Sequence, residues 1–106
     1  PVSNPDHLKN QIEGAMMMGL GGALFEAIDI DGDSVRNPSL STYRVPRFSD
    51  LPLLETVLLD RRNMPAAGAG ETPIVAVAPA IGNAIFQATG IRLTAMPMVP
   101  DRLNLG

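Results

Sequence analysis

The stretch that most constrains this chain runs from residue 68 to residue 90. It opens Gly68-Ala69-Gly70-Glu71-Thr72-Pro73 and continues as an uncharged run that lasts until Arg92. Two glycines flank one small residue, and a single carboxylate follows them. Glycine lets a backbone turn sharply or pass close to a ligand. Thr72-Pro73 suits a helix start, with a capping hydroxyl followed by proline in the first turn. Glu71 therefore stands just before a helix N-terminus, where the macrodipole favours an ionised carboxylate. Everything beyond it is built to be buried. Such an acid is either a cap or a reagent.

A chain of 106 residues suits one small domain. It is 45% hydrophobic and 18% charged, which is too apolar for a disordered segment. Eight basic and eleven acidic residues are scattered along it, giving a net charge of -3. With no basic patch, a nucleic-acid or anionic-membrane partner is not expected. The absence of cysteine removes disulfides, iron–sulfur ligation and thiolate catalysis by this chain. A single histidine, His7, cannot make a zinc site alone. Every long apolar run is broken by glycine or proline before reaching the roughly 18 residues of a membrane span, so none is expected. The opening Pro-Val-Ser-Asn-Pro, without methionine, reads as a piece of a longer protein.

Asn4-Pro5-Asp6 is a helix opening, with cap, first residue and first-turn acid in order. Leu8, Ile12, Ala15 or Met16, Leu20 and Ala23 or Leu24 then recur at spacings of three and four, predicting an amphipathic helix over residues 5–24. Gly14, Gly19, Gly21 and Gly22 fall within it, each unfavourable by about 1 kcal/mol relative to alanine. So many glycines imply another surface very close by: a packed helix first, a ligand second. Met16, Met17 and Met18 point in different directions from a helix, so they fill core rather than hold metal.

Residues 25–30 alternate apolar and acidic side chains as a half-buried strand does, and Asp31-Gly32-Asp33 turns the chain into a return strand. Asp29, Asp31 and Asp33 resemble a calcium loop, but Leu40 stands where that loop needs a glutamate, so a hairpin is favoured. Residues 37–52 are loop-like, punctuated by Pro38, Pro46 and Pro52. Residues 53–59 read as a strand with a polar exit, Asp60-Arg61-Arg62-Asn63, whose arginines are solvated surface. Pro79 kinks or restarts the second helix, Gly90 ends it, residues 91–96 form a last strand, and Pro97 begins a tail. The resulting fold class is α+β, a small mostly antiparallel sheet packed with two main helices.

No serine–histidine–acid set, metal-ligand cluster or phosphate loop is present, and no metal ligand is assigned. Glu71 is the one candidate reagent, as a desolvated general base. On physics alone the helix cap is the stronger reading, because a base without a pocket or cofactor completes no mechanism.

Three blocks change this balance. Asn4-Pro5 is followed by Gln11-Ile12-Glu13-Gly14 and Gly19-Leu20-Gly21. Thr42-Tyr43-Arg44-Val45-Pro46 comes next. Gly68-Ala69-Gly70-Glu71-Thr72-Pro73 then leads to Ala80-Ile81-Gly82-Asn83-Ala84-Ile85. In order and spacing they resemble the C-terminal region of the molybdopterin-binding large subunit of the xanthine dehydrogenase and aldehyde oxidase family, across nearly the whole chain. The resemblance implies that residues 1–106 are one C-terminal piece of a larger molybdopterin-binding domain. It implies a molybdenum hydroxylase acting on an aldehyde or an N-heterocycle, with Glu71 as the general base that deprotonates a metal-bound water. Hydride then passes to the metal's sulfido ligand, and electrons leave through iron–sulfur centres on other domains or subunits. It also implies that Gln11 contacts the molybdopterin cofactor and that Gly70 lets the backbone pass close to it. Many relatives carry glutamine where Met18 stands, so a polar contact is lost here.

By this reading the partners are the rest of the large subunit and an iron–sulfur subunit or domain. The isolated piece is expected to be inactive, to bind little or no cofactor and to self-associate through exposed apolar faces. The competing reading is a non-enzymatic interaction module, in which the helices and residues 43–48 bind a partner and Glu71 only caps a helix. A stand-alone hydrolase lacks a metal or second acid. Location stays open between cytoplasm and periplasm.

Overall fold

Asn4 sets the start of the first helix: its Oδ1 accepts the His7 N–H at 3.0 Å, and Pro5 follows where no N–H is required. The computed structural model describes residues 1–98. Helix α1 spans Pro5–Leu24, as the spacing of its apolar residues predicts. Leu8, Ile12, Met16, Leu20 and Leu24 are half-buried along its stripe, and Ala15 and Ala23 are buried. A hairpin of β1 (Ile30–Asp31) and β2 (Ser34–Val35) follows, paired antiparallel with Ile30 opposite Val35. Gly32 takes a φ of 56° in its turn, a conformation that a Cβ disfavours. Short 3₁₀ helices occupy Phe48–Asp50 and Thr72–Ala76, the second running directly into helix α2, Val77–Thr89. The fold class is α+β, with two main helices and one small antiparallel sheet.

Two of the four α1 glycines explain how the elements meet. A Cβ on Gly19 would lie 2.7 Å from the Val77 Cβ, so α2 begins hard against α1. A Cβ on Gly21 would lie 2.8 Å from Pro46 and would collide with the Glu26 carboxylate. Gly14 and Gly22 have nothing within 4 Å of that position, so close packing does not account for them.

Several expected strands take other forms. Residues 25–29 end α1 instead of pairing: the N–H groups of Phe25 and Glu26 both donate to the Gly21 carbonyl, at 2.9 Å each. Arg44 lies over the Phe25 ring at 4.0 Å, and the Tyr43 hydroxyl donates to Glu26 Oε2 at 3.2 Å, so both side chains are held by residues 43–44. Residues 53–59 have no partner strand among the described residues. Residues 91–96 form no strand either. Gly90 ends α2 with a φ of 75°, Arg92 folds back to Asn83 Oδ1 at 2.7 Å, and the Met98 N–H donates to the Ala23 carbonyl at 2.6 Å. The segment thus bridges the two helices. Pro97 and Met98, expected to begin a free tail, are buried; the rest of that tail lies outside the described residues.

The run Thr72–Thr89 has the length and composition of a minimal membrane span, with a mean hydropathy of 1.2. Pro73, Pro79 and Gly82 interrupt it, and it lies along α1. Among the described residues the buried apolar side chains are Ala15, Ala23, Pro97 and Met98. The Cα radius of gyration is 17.0 Å, against about 13 Å for a compact domain of 100 residues.

Candidate active site

Gln11, Gly14, Ala15 and Met18 follow one another on α1 at the i, i+3, i+4, i+7 spacing that places them on one face. The 3₁₀ turn Thr72–Ala76 packs on α1 and carries the preceding loop with it. A hollow of about 530 Å³ opens between them, lined by Gln11, Gly14, Ala15, Met18, Gly70, Glu71 and Ile74. All three residues singled out in the sequence, Gln11, Gly70 and Glu71, therefore share one cavity. Gly14, Ala15, Met18 and Ile74 complete its wall, and counting helical turns from Gln11 finds the first three.

Its chemistry is that of one acid and one amide in an apolar setting. Glu71 and Gln11 are both exposed to the cavity and solvent, so the carboxylate expected to be desolvated is open in this structure. Thr72 does not cap the following turn but is its first residue; Glu71 precedes it with φ -90° and ψ -4°. The Glu71 carbonyl accepts the Ile74 N–H at 3.0 Å, but its carboxylate makes no capping hydrogen bond. Capping is therefore not what the side chain does here. Gly68 and Gly70 have nothing within 4 Å of a Cβ position, which leaves the loop's inner surface open. Among the described residues no three of His, Asp or Glu are grouped to hold a metal ion. A metal in this hollow would have to arrive with ligands of its own.

A neighbouring hollow of about 610 Å³, lined by Met17, Met18, Glu26, Val45, Pro46, Arg47, Phe48 and Leu51, is larger. Its one acid, Glu26, is engaged by the Tyr43 hydroxyl, so it offers no comparable reagent. Partial burial first, then the hydrogen bond and charge of Glu26, push the Tyr43 hydroxyl above its ordinary range. Tyr43 thus stays protonated as a donor. The block 42–46 does not reach the Glu71 hollow; it fixes the C-terminal end of α1.

Residues 1–52 match the family described as a molybdopterin cofactor-binding domain. The chain is 42% identical over 108 residues to the xanthine dehydrogenase molybdenum-binding subunit of Escherichia coli O157:H7, covering 96% of this chain and 14% of that protein. It is 38% identical over 110 residues to the aldehyde oxidoreductase molybdenum-binding subunit of Escherichia coli K12, covering 96% of this chain and 15% of that one. A nicotinate dehydrogenase subunit of Pseudomonas putida is 33% identical over 101 residues, covering 95% of this chain and 8% of that protein. The chain belongs to the xanthine dehydrogenase and aldehyde oxidase family. Molybdopterin is this family's cofactor, and the matched cofactor-binding region contains Gln11. Glu71 lies beyond that region, within the longer matches to whole subunits. The chain spans about one-seventh of the length of the xanthine dehydrogenase subunit.

Proposed function

We propose that residues 1–106 belong to the C-terminal part of a molybdopterin-binding domain in a longer subunit. That subunit hydroxylates an aldehyde or N-heterocycle with water, and Glu71 is its general base. The observation that carries this reading is the common cavity of Gln11 with Gly70 and Glu71, which lie about 60 residues further along the chain. The residues present fit the cofactor. Gln11 offers both amide donors and an acceptor to a pterin edge, and Gly14 and Gly70 leave space that a Cβ would occupy. When bound, the cofactor supplies a Lewis acid and a two-electron acceptor.

In the net reaction a substrate C–H becomes C–OH at the expense of one water, releasing two protons and two electrons. Glu71 accepts a proton from the water as its oxygen meets the substrate carbon. Gln11 orients the cofactor edge across the cavity. Met18 and Ile74 contribute an apolar wall that displaces solvent once the site is closed by the rest of the subunit. Iron–sulfur centres on another subunit or domain would supply the outlet for the electrons.

In the full-length subunit, Glu71→Gln keeps the shape and removes the base. Turnover is expected to fall by about 100- to 10,000-fold while molybdenum content stays near that of the parent. Undiminished turnover in that variant would remove Glu71 from the mechanism.

A further inference from the structure

Residues 53–59, Leu-Leu-Glu-Thr-Val-Leu-Leu, carry the most conspicuous unfinished backbone in the molecule. Alternate residues face opposite ways: Leu54, Thr56 and Leu58 are half-buried, whereas Leu53, Glu55, Val57 and Leu59 are exposed. That period of two belongs to a strand. Among the described residues no hydrogen bond reaches any N–H or C=O group in this run. The enclosed Thr56 Oγ1 also has no partner. Leu53 is 100% exposed, Val57 75% and Leu59 76%, an apolar outer face broken only by Glu55.

The end of the run at Asp60 is held. Pro52 precedes it, a position where a strand tolerates the missing N–H. Just after it, Asp60 Oδ1 accepts the Val2 N–H at 2.8 Å and Oδ2 accepts Arg62 Nε at 2.6 Å. The run is therefore an edge tethered at its far end whose donors and acceptors have no partner among the described residues. Left bare, such an edge invites pairing with whatever strand it meets.

We propose that residues 53–59 are a sheet strand completed by a β-strand from the part of the longer subunit that lies outside residues 1–106. This rests on the reading that the chain is a section of such a subunit. The relatives supply the reason to choose that occupant: about 86% of the xanthine dehydrogenase subunit's length lies outside the match, since the match covers 14% of it. A neighbouring strand would satisfy the backbone, cover Leu53, Val57 and Leu59 or continue their face, and give Thr56 Oγ1 a partner.

Hydrogen exchange on the full-length subunit tests this without any need for turnover, so it can fail while the Glu71 assignment stands, and the reverse. The expected result is slowing of the 53–59 amides by at least about 100-fold, independent of protein concentration. Thr56→Pro and Val57→Pro each delete one ladder donor, and at least one of them should lower the thermal midpoint by more than Thr56→Val or Val57→Thr, which keep the backbone donors. Exchange at unprotected rates would overturn the proposal. Protection that rises with concentration would overturn it too, by assigning the edge to a second copy. Protection that neither proline disturbs would replace the ladder with side-chain cover.

Discussion

Gly21 and Gly14 sit two helical turns apart on α1 and should respond to alanine in opposite ways. At Gly21 a Cβ meets the Pro46 ring at 2.8 Å and the Glu26 carboxylate, whose Oε2 accepts the Tyr43 hydroxyl, so making room disturbs that hydrogen bond. Gly21→Ala should therefore lower stability by about 1–3 kcal/mol, read as a shift in the denaturant midpoint of the full-length subunit. At Gly14 the position is open, and alanine favours a helix by about 1 kcal/mol. Gly14→Ala should leave that midpoint unchanged or raised, while reducing molybdenum content or turnover, because its methyl enters the Glu71 hollow. Unaltered loading and turnover would show that the space at Gly14 is idle.

Asp60 gives a pH dependence at the same scale. Arg62 first, then the Val2 N–H, hold its carboxyl below the ordinary aspartate range. The folded state then binds this proton less readily than the unfolded chain. The tie to residue 2 is complete above the ordinary carboxylate value and is lost as pH falls through the lowered one. The Val2 amide resonance should move below about pH 4, and Asp60→Asn should abolish that movement. Of these residue-scale features, Glu71 stood out by type and neighbours as a candidate reagent, whereas the roles of Gln11 and Gly70 entered only through the resemblance to the family. Met18 follows from counting helical turns from Gln11, but the grouping of Ile74 with them was not legible, because it is apolar and unremarkable until α1 and the 3₁₀ turn are laid side by side.

At the scale of elements, α1 is the most self-sufficient part. Its cap, first-turn proline and apolar stripe all lie within its own sequence, and all three are realised in Pro5–Leu24. Asn4→Ala should cost about 1 kcal/mol, measured as a lower denaturant midpoint, while Asn4→Asp should retain most of it. The strands fared differently. The turn at Gly32 was readable, yet it supports only two residues per strand, because Phe25 and Glu26 are claimed by Arg44 and Tyr43. Residues 91–96 have strand-like composition but are drawn between α2 and the end of α1 by Arg92 and Met98. Helix hydrogen bonds are local, whereas a strand needs a partner that its own sequence does not contain.

For the whole molecule, the shortage of buried apolar side chains dominates. Phe48 is 97% exposed and Leu40 75%, in addition to the outer face of residues 53–59. Exposed apolar surface on this scale favours association. The isolated 106-residue chain should sediment with an apparent mass that rises above 11.2 kDa as its concentration increases. A monomer across the accessible range would argue that these surfaces need no partner.

What the sequence by itself determined is the set of locally encoded features: the bounds of α1, the left-handed stop at Gly90, the Gly32 turn, the family, and a lone carboxylate at Glu71 between glycines and an apolar run. Tertiary structure alone decided that Gln11 shares a hollow with Gly70 and Glu71, that residues 42–46 serve as a clamp on α1, and that residues 53–59 have no partner strand among the described residues. The division follows from range. Caps and turns are set by groups a few bonds apart, but a cavity or a sheet edge exists only once distant segments have been brought together.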